Sequence, residues 1–240
     1  MTWSILARDP GTGKFGVAVA TKFFAVGALV PHARAGVGAV ATQALINPFF
    51  GFDGLKLLQD GLSAPDVIAK LVASDDGRDH RQVHAIDAQG RTAAHTGQSC
   101  VDWCGATSER GLSVAGNMLA NADVIAATAS TFRSKAALRL AQRLIAAMKA
   151  GEAAGGDKRG KQSAALLIQG DEAWPDLSLR VDDHADPLGE LDRLETVSRE
   201  RFVHFMQFLP SRHDRVGQTD RTLIEAGITD ALAQRSPGRS

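Results

Sequence analysis

The amino-acid sequence predicts an α+β sandwich, in which two mainly antiparallel sheets lie face to face and helices cover the outside. The apolar segments come in blocks of strands, helices, strands, long helices, strands and a helix. A parallel α/β sheet would alternate strictly, and this chain does not. The strand-like runs are rich in Gly, Ala and β-branched residues, with 24 glycines and no tyrosine in the chain, which suits short strands packed closely on both faces. At 240 residues the chain is long enough to bury one large core.

Each element has its own signal. Residues 1–9 read as a strand, Pro10-Gly11-Thr12-Gly13 as a turn and residues 14–21 as a second strand, so the chain opens on a hairpin. Residues 23–30 and 35–45 give two further strand-like runs, separated by Pro31-His32-Ala33-Arg34. Residues 52–59, stopped by Asp60-Gly61, predict a short helix, and Ser63-Ala64-Pro65-Asp66 opens another that runs to about Ala73. Residues 82–87 and 91–95 flank Ala88-Gln89-Gly90 as a second hairpin, Cys104 falls in a polar connection, and residues 111–119 form a strand. An alanine-rich helical segment runs from Asn121 to Ala150, broken near Ser134. After the glycine-rich, charged residues 151–162 come strands at 163–169 and 177–182. Asp186-Pro187 then caps a helix that continues through Phe202, Phe205 and Phe208 to Pro210. The expected organisation is one domain over residues 1–209 and a polar tail over 210–240, with a short helix at 222–233.

Composition excludes several function classes. Lys+Arg 27 balances Asp+Glu 27, leaving no global field to attract nucleic acid or an anionic membrane. No stretch has the continuous apolar length of a membrane span or the pattern of a secretory signal, so a soluble, cytoplasmic protein is expected. Cys100 and Cys104 are the two cysteines, and at C-x3-C spacing with only His95 nearby they read as reduced thiols, not a zinc site. No metal and no cofactor are expected. The apolar Phe202, Phe205 and Phe208 suit a homodimer contact.

The chemistry is sharpest at the start of the chain. Removal of Met1 makes Thr2 the first residue, placing a nucleophile and a base on one amino acid. An α-amine with an ordinary pKa of about 7.7–8.0 takes the proton from its own residue's Oγ near neutral pH. A strand holding that residue at the end of a sheet supplies the anchoring that a chain terminus normally lacks.

The string MTWSILARDPGTGKFGVAVATKFFAVGALVPHARAGVGAVATQALINP, followed later by GGDKRGKQSAALLI and LRVDDHADP, resembles the family catalogued as domain of unknown function 1028, over roughly residues 1–208. That family is grouped with the N-terminal-nucleophile (Ntn) hydrolases. The resemblance implies a four-layer α-β-β-α sandwich and an amidohydrolase acting on a small molecule through Thr2; it supplies no substrate. By the same resemblance Asn117, after Gly116 at a strand end, is an oxyanion donor, competing with an ordinary turn role. Asp157 and Ser163 are the pair that orients the terminus, with Arg159 beside them. Arg34 stands in for the cation that assists threonine by favouring the free amine, with Lys22 a weaker stand-in, and a solvated arginine is the competing reading. His32 and Gln43, polar insertions beside apolar sheet residues, line a pocket or satisfy interior hydrogen bonds.

Two other classes compete. A metal-dependent hydrolase would draw on Asp182, Asp183, His184 and His95, without H-x-H or H-E-x-x-H spacing. A binding or scaffold protein would keep the sandwich without processing its terminus. The run Gly111-Leu112-Ser113-Val114-Ala115 fails the G-x-S-x-G elbow of a serine hydrolase and reads as strand.

Overall fold

The computed structural model describes residues 2–234. Its packing divides the chain into two compact units, residues 1–192 and 193–240. The first holds both sheets. Strands β1 (Thr2–Arg8), β2 (Phe15–Thr21), β7 (Gly105–Glu109), β8 (Leu112–Asn117), β9 (Ser163–Gln169) and β10 (Leu177–Val181) form a six-stranded sheet in the order β10-β9-β2-β1-β8-β7. Strands β3 (Pro31–Arg34), β4 (Gly38–Ala44), β5 (Arg81–Asp87) and β6 (Thr92–Thr96) form a four-stranded sheet in sequence order. Every neighbouring pair is antiparallel.

Helices α1 (Phe49–Gln59) and α2 (Ala64–Ala73) pack on the four-stranded sheet, while α3 (Asp123–Ser134) and α4 (Leu140–Ala153) pack on the six-stranded one. With the two sheets in contact through β1, β2, β4, β5 and β8, the layers run α-β-β-α as expected. The period-2 alternation of β4 shows how one strand serves two cores. Ala39 and Ala41 join Leu6, Val17, Val19 and Ile86 between the sheets, whereas Val40 packs with Phe50, Leu55, Val67 and Leu71 beneath the helices. Burying each of the larger side chains among them stabilises the fold by about 1.5–3 kcal/mol. Gly16 on β2 lets α4 approach the sheet, since a β-carbon there would run into the Leu144 side chain.

Several boundaries differ from the sequence expectation. Residues 23–30 are not a strand: Ala25 adopts a left-handed φ of 53°, and a short 3-10 turn at Val26–Ala28 follows. Val26 and Val30 turn inward while Phe23 and Phe24 stay exposed, so the apolar run serves a loop and its mouth instead of a ladder. The segment expected to separate strands, Pro31–Arg34, is itself β3, and its proline is tolerated because β3 lies at a sheet edge. β7, read as a polar connection, is the other kind of exception: an edge strand whose Gly-Ala-Thr-Ser-Glu sequence has no apolar face to announce it. Helix α1 starts three residues earlier than expected, with Asn47 Oδ1 accepting from the Phe49 N–H at 3.1 Å.

The long C-terminal helix is divided. α5 (Pro187–Ser198) ends where the Ser198 hydroxyl bonds back to the Glu195 carbonyl, and a separate turn, α6 (Phe202–Phe205), follows. Within the second unit α7 (Arg221–Ala233) is capped by Asp220, which accepts from Thr222 N at 2.8 Å. Arg201 grips Glu225 through both guanidinium nitrogens, and Gly227 leaves room for the Phe208 ring. No helix among the described residues is long and apolar enough to cross a membrane.

Candidate active site

β1 lies in the middle of the six-stranded sheet, between β2 and β8, so its first residue is held from both sides. Thr2 pairs with Asn117 in the β1–β8 register and is only 7% exposed. Its Oγ donates to Thr21 Oγ at 3.2 Å across the open end of the β1–β2 hairpin. The threonine also borders a cavity of about 110 Å³, whose walls are Phe23, Val26, Leu29, Val30, Ala44 and Ile46, with Gln43 and Arg159 as its other polar residues. Three non-glycine residues with left-handed φ surround this end of the sandwich: Ala44 (72°) in the cavity wall, Ala25 (53°) before Val26, and Met118 (57°) after Asn117. Each such residue costs about 1–3 kcal/mol, and strain of this kind concentrates at functional sites.

Asp157 has a fully buried side chain beside the end of β2. It accepts from the backbone N–H of Lys22, the residue after Thr21, at 2.8 Å and from that of Arg159 at 2.9 Å. The Arg159 guanidinium completes an ion pair with it at 3.2 Å. Ser163 sits opposite Thr21 in the β2–β9 register. Its hydroxyl donates to the Phe23 carbonyl at 2.5 Å and accepts from Val26 N at 3.1 Å, which fixes the loop over the cavity. Asp157 and Ser163 therefore brace the backbone of the loops next to Thr2.

Behind Thr2 a chain of buried amides and hydroxyls runs between the two sheets. Gln82 Oε1 accepts from Asn117 Nδ2 at 3.0 Å and from Gln43 Nε2 at 2.7 Å, while Gln82 Nε2 donates to the Gly116 carbonyl at 2.8 Å. Gln43 Nε2 also reaches the Thr2 carbonyl at 3.5 Å. Ser4 donates its one hydrogen to Gln43 Oε1 at 2.7 Å, so at its 2.8 Å contact with His84 Nε2 the ring nitrogen is the donor. His84 Nδ1 is then the acceptor facing Ser113 Oγ at 2.9 Å. Full burial, with no carboxylate to offset it, pulls the His84 pKa down to about 3, and the imidazole is neutral at physiological pH.

Thr2, Gln43 and Arg159 thus share one cavity, Asp157 and Ser163 flank it, and Asn117 lies opposite Thr2 with its amide turned to Gln82. Arg34 is elsewhere. It pairs with Gly38 at the far end of the β3–β4 hairpin, five residues along β4 from Gln43 or about 17 Å at the strand rise, and its guanidinium donates to Gln59. His32 points to the helical layer instead of the cavity, edge-on to Phe52 with centroids 5.1 Å apart, under a glycine, Gly51, that leaves space for its ring. Strand alternation explains both, because His32 and Arg34 share the face of β3 that packs toward or past α1. Lys22 Nζ bonds the Lys161 carbonyl. His95 contacts the Arg78 carbonyl and Asp182 pairs with Arg180, and among the described residues no three His, Cys, Asp or Glu side chains gather in a metal-holding group.

Sequence reasoning missed Thr21, Gln82 and His84. The available signal was positional: β4 and β5 had to pair as neighbours, and in that pairing Gln43 faces Gln82 directly.

The model of a family of unknown function (DUF1028) matches residues 2–191. The crystal structure of protein SPO2555 from Silicibacter pomeroyi, assigned to the DUF1028 family model, superposes with a TM-score of 0.84 at 33% identity, over 91% of this chain and 99% of that one. Anbu (ancestral beta-subunit) from Yersinia bercovieri aligns over 87% of this chain and 98% of its own at 12% identity, with a TM-score of 0.36. Among curated proteins there is no match.

Proposed function

This chain belongs to DUF1028, a family of unknown function, and we propose that it is an Ntn-type amidohydrolase that cleaves small-molecule C–N bonds with Thr2 as nucleophile once Met1 has been removed. The observation that carries this reading is the position of Thr2, at the head of the central strand, nearly buried, with its hydroxyl held by Thr21 on the edge of a cavity.

In the proposed reaction Thr2 Oγ attacks the substrate carbonyl while the α-amine takes its proton. The C–N bond then breaks as that proton passes to the leaving nitrogen. Water adds to the resulting ester, and Thr2 leaves with its hydrogen restored. Asn117 commits one N–H to Gln82 and has a second for the developing oxyanion, beside the residue it faces across the sheet. The cation assigned from sequence to Arg34 is better placed at Arg159, which borders the cavity and shares its charge with Asp157. An apolar wall with one guanidinium favours a small substrate that has an apolar face and an anionic group.

Intact mass of the purified protein, with and without periodate, tests the premise, because periodate cleaves a terminal 1,2-amino alcohol and leaves an internal threonine intact. The expected result is a chain starting at Thr2 that shifts in mass on oxidation and loses hydrolysis of an amide and lactam panel. Full turnover by protein that retains Met1 would sink the proposal.

A further inference from the structure

β1 ends at Arg8, six residue steps or roughly 20 Å from Thr2. A second cavity, of about 300 Å³, opens at that end and has four guanidinium groups in its lining, those of Arg8, Arg110, Arg133 and Arg143. The lining contains one carboxylate, Glu109, and Arg133 occupies both its oxygens at 2.8 and 3.1 Å. Asp9, next to Arg8, turns its carboxylate into its own loop, where Oδ1 accepts from Thr12 N at 2.7 Å and Thr12 Oγ at 2.8 Å. Among the described residues, three of the lining arginines therefore have no bonded counter-ion.

One of them is held in place and another is partly buried. Arg143 lies 3.7 Å over the Phe132 ring and donates Nε to the Phe132 carbonyl, which orients its plane and leaves its terminal nitrogens for a ligand. Arg8 is half-buried, and its Nε is buried with no hydrogen-bond partner among the described residues. A buried guanidinium donor is rarely left unpaired in a folded protein unless something outside the chain completes it. Burial also pulls the Arg143 pKa below the ordinary arginine range, against the opposing field of Asp9.

We propose that this cavity is a binding site for a small polyanion bearing phosphate or several carboxylate groups. The planar forks of Arg8 and Arg143 match the paired oxygens of such a group, and Arg110 adds charge at the rim. A singly charged anion would leave two cations uncompensated, and the concave site within a chain of zero net charge does not fit a nucleic-acid strand. The site is independent of the reading of Thr2.

The test is calorimetric titration of the full-length protein with pyrophosphate and with citrate, at low and at high ionic strength. Saturable binding that weakens with salt is expected, and the two probes separate a phosphate ligand from a polycarboxylate. Loss of one charged hydrogen-bonding partner in Arg8→Gln should weaken binding about tenfold or more. Arg110→Gln, at an exposed position with no fold-holding contact, should weaken it by about threefold, which tests the site even where Arg8→Gln impairs folding. The proposal is overturned if neither probe saturates, or if both folded variants bind as the parent does.

Discussion

The two ends of strand β1 are built on opposite principles. At the Thr2 end nearly every polar group has a partner, the cavity is small and mostly apolar, and the strained backbone of Ala25, Ala44 and Met118 gathers around it. At the Arg8 end the cavity is nearly three times larger, its charges are mostly unpaired, and a buried donor has no acceptor. The first arrangement would hold the proposed nucleophile without rearrangement. The proposed polyanion would complete the second. One strand in the centre of a sheet thus separates a closed, mostly satisfied polar cluster from an open, cationic one.

The sharpest way to break this contrast is Thr2→Ala. It should lower hydrolysis by at least about 10³-fold, equivalent to about 4 kcal/mol of barrier, while leaving polyanion titration at the Arg8 end unchanged. A parallel loss at both ends would mean that the two are coupled or that the variant is misfolded. Next in size, Gln82→Leu strips the shared acceptor from Gln43 and Asn117 and should destabilise the protein by about 2–3 kcal/mol in urea unfolding, because buried donors are left unpaired.

Acid should reveal His84. Its folded pKa of about 3 lies below the ordinary 6.5, so between these values the unfolded chain binds a proton that the native interior refuses. Stability is therefore intact above about pH 6.5 and falls by about 1.4 kcal/mol per unit below it, or about 2 kcal/mol by pH 5. Asp75 and Asp87, held below their ordinary range, lose their contribution only as the pH drops through and below that of a normal aspartate, so they do not mimic this window. In Asp75 the side-chain hydrogen bond from Arg81 is the main cause; in Asp87 the bonds from Ala64 and Arg91 overcome the opposing effect of burial. His84→Gln should reduce the slope over pH 5–6.5, leaving the part due to His32, whose pKa burial also lowers; an identical slope in the variant would refute the assignment. The smallest effect is Thr21→Val, which keeps the shape and removes the hydroxyl held to Thr2. Turnover should drop about tenfold with stability changed by less than about 1 kcal/mol.

Much of the architecture was readable because it is written in local rules. The Pro-Gly-Thr-Gly turn, the Ser63 cap and the break near Ser134 are short-range signals, and the structure has elements beginning or ending within two residues of each. Residues 23–30 misled because an apolar composition alone does not distinguish a strand from a partly exposed loop that buries only Val26 and Val30. β7 was invisible for the converse reason, since an exposed edge strand needs no apolar pattern. The site was less legible. Thr2 stood out by its place in the chain and Asp157, Arg159 and Ser163 by the resemblance, but Arg34 and His32 turn to the other face of an edge strand, which one residue of register decides.

The sequence alone, then, determined that two antiparallel sheets would be flanked by helices and that a threonine would head the first strand, because strand period, turn chemistry and capping act over a few residues. Which side chains meet was decided only by tertiary structure. Gln43, Gln82 and Asn117 lie up to 74 positions apart in the chain, and the four arginines of the second cavity span residues 8–143. Sheet register and the stacking of layers bring them together, and those depend on long-range pairing that no local pattern encodes.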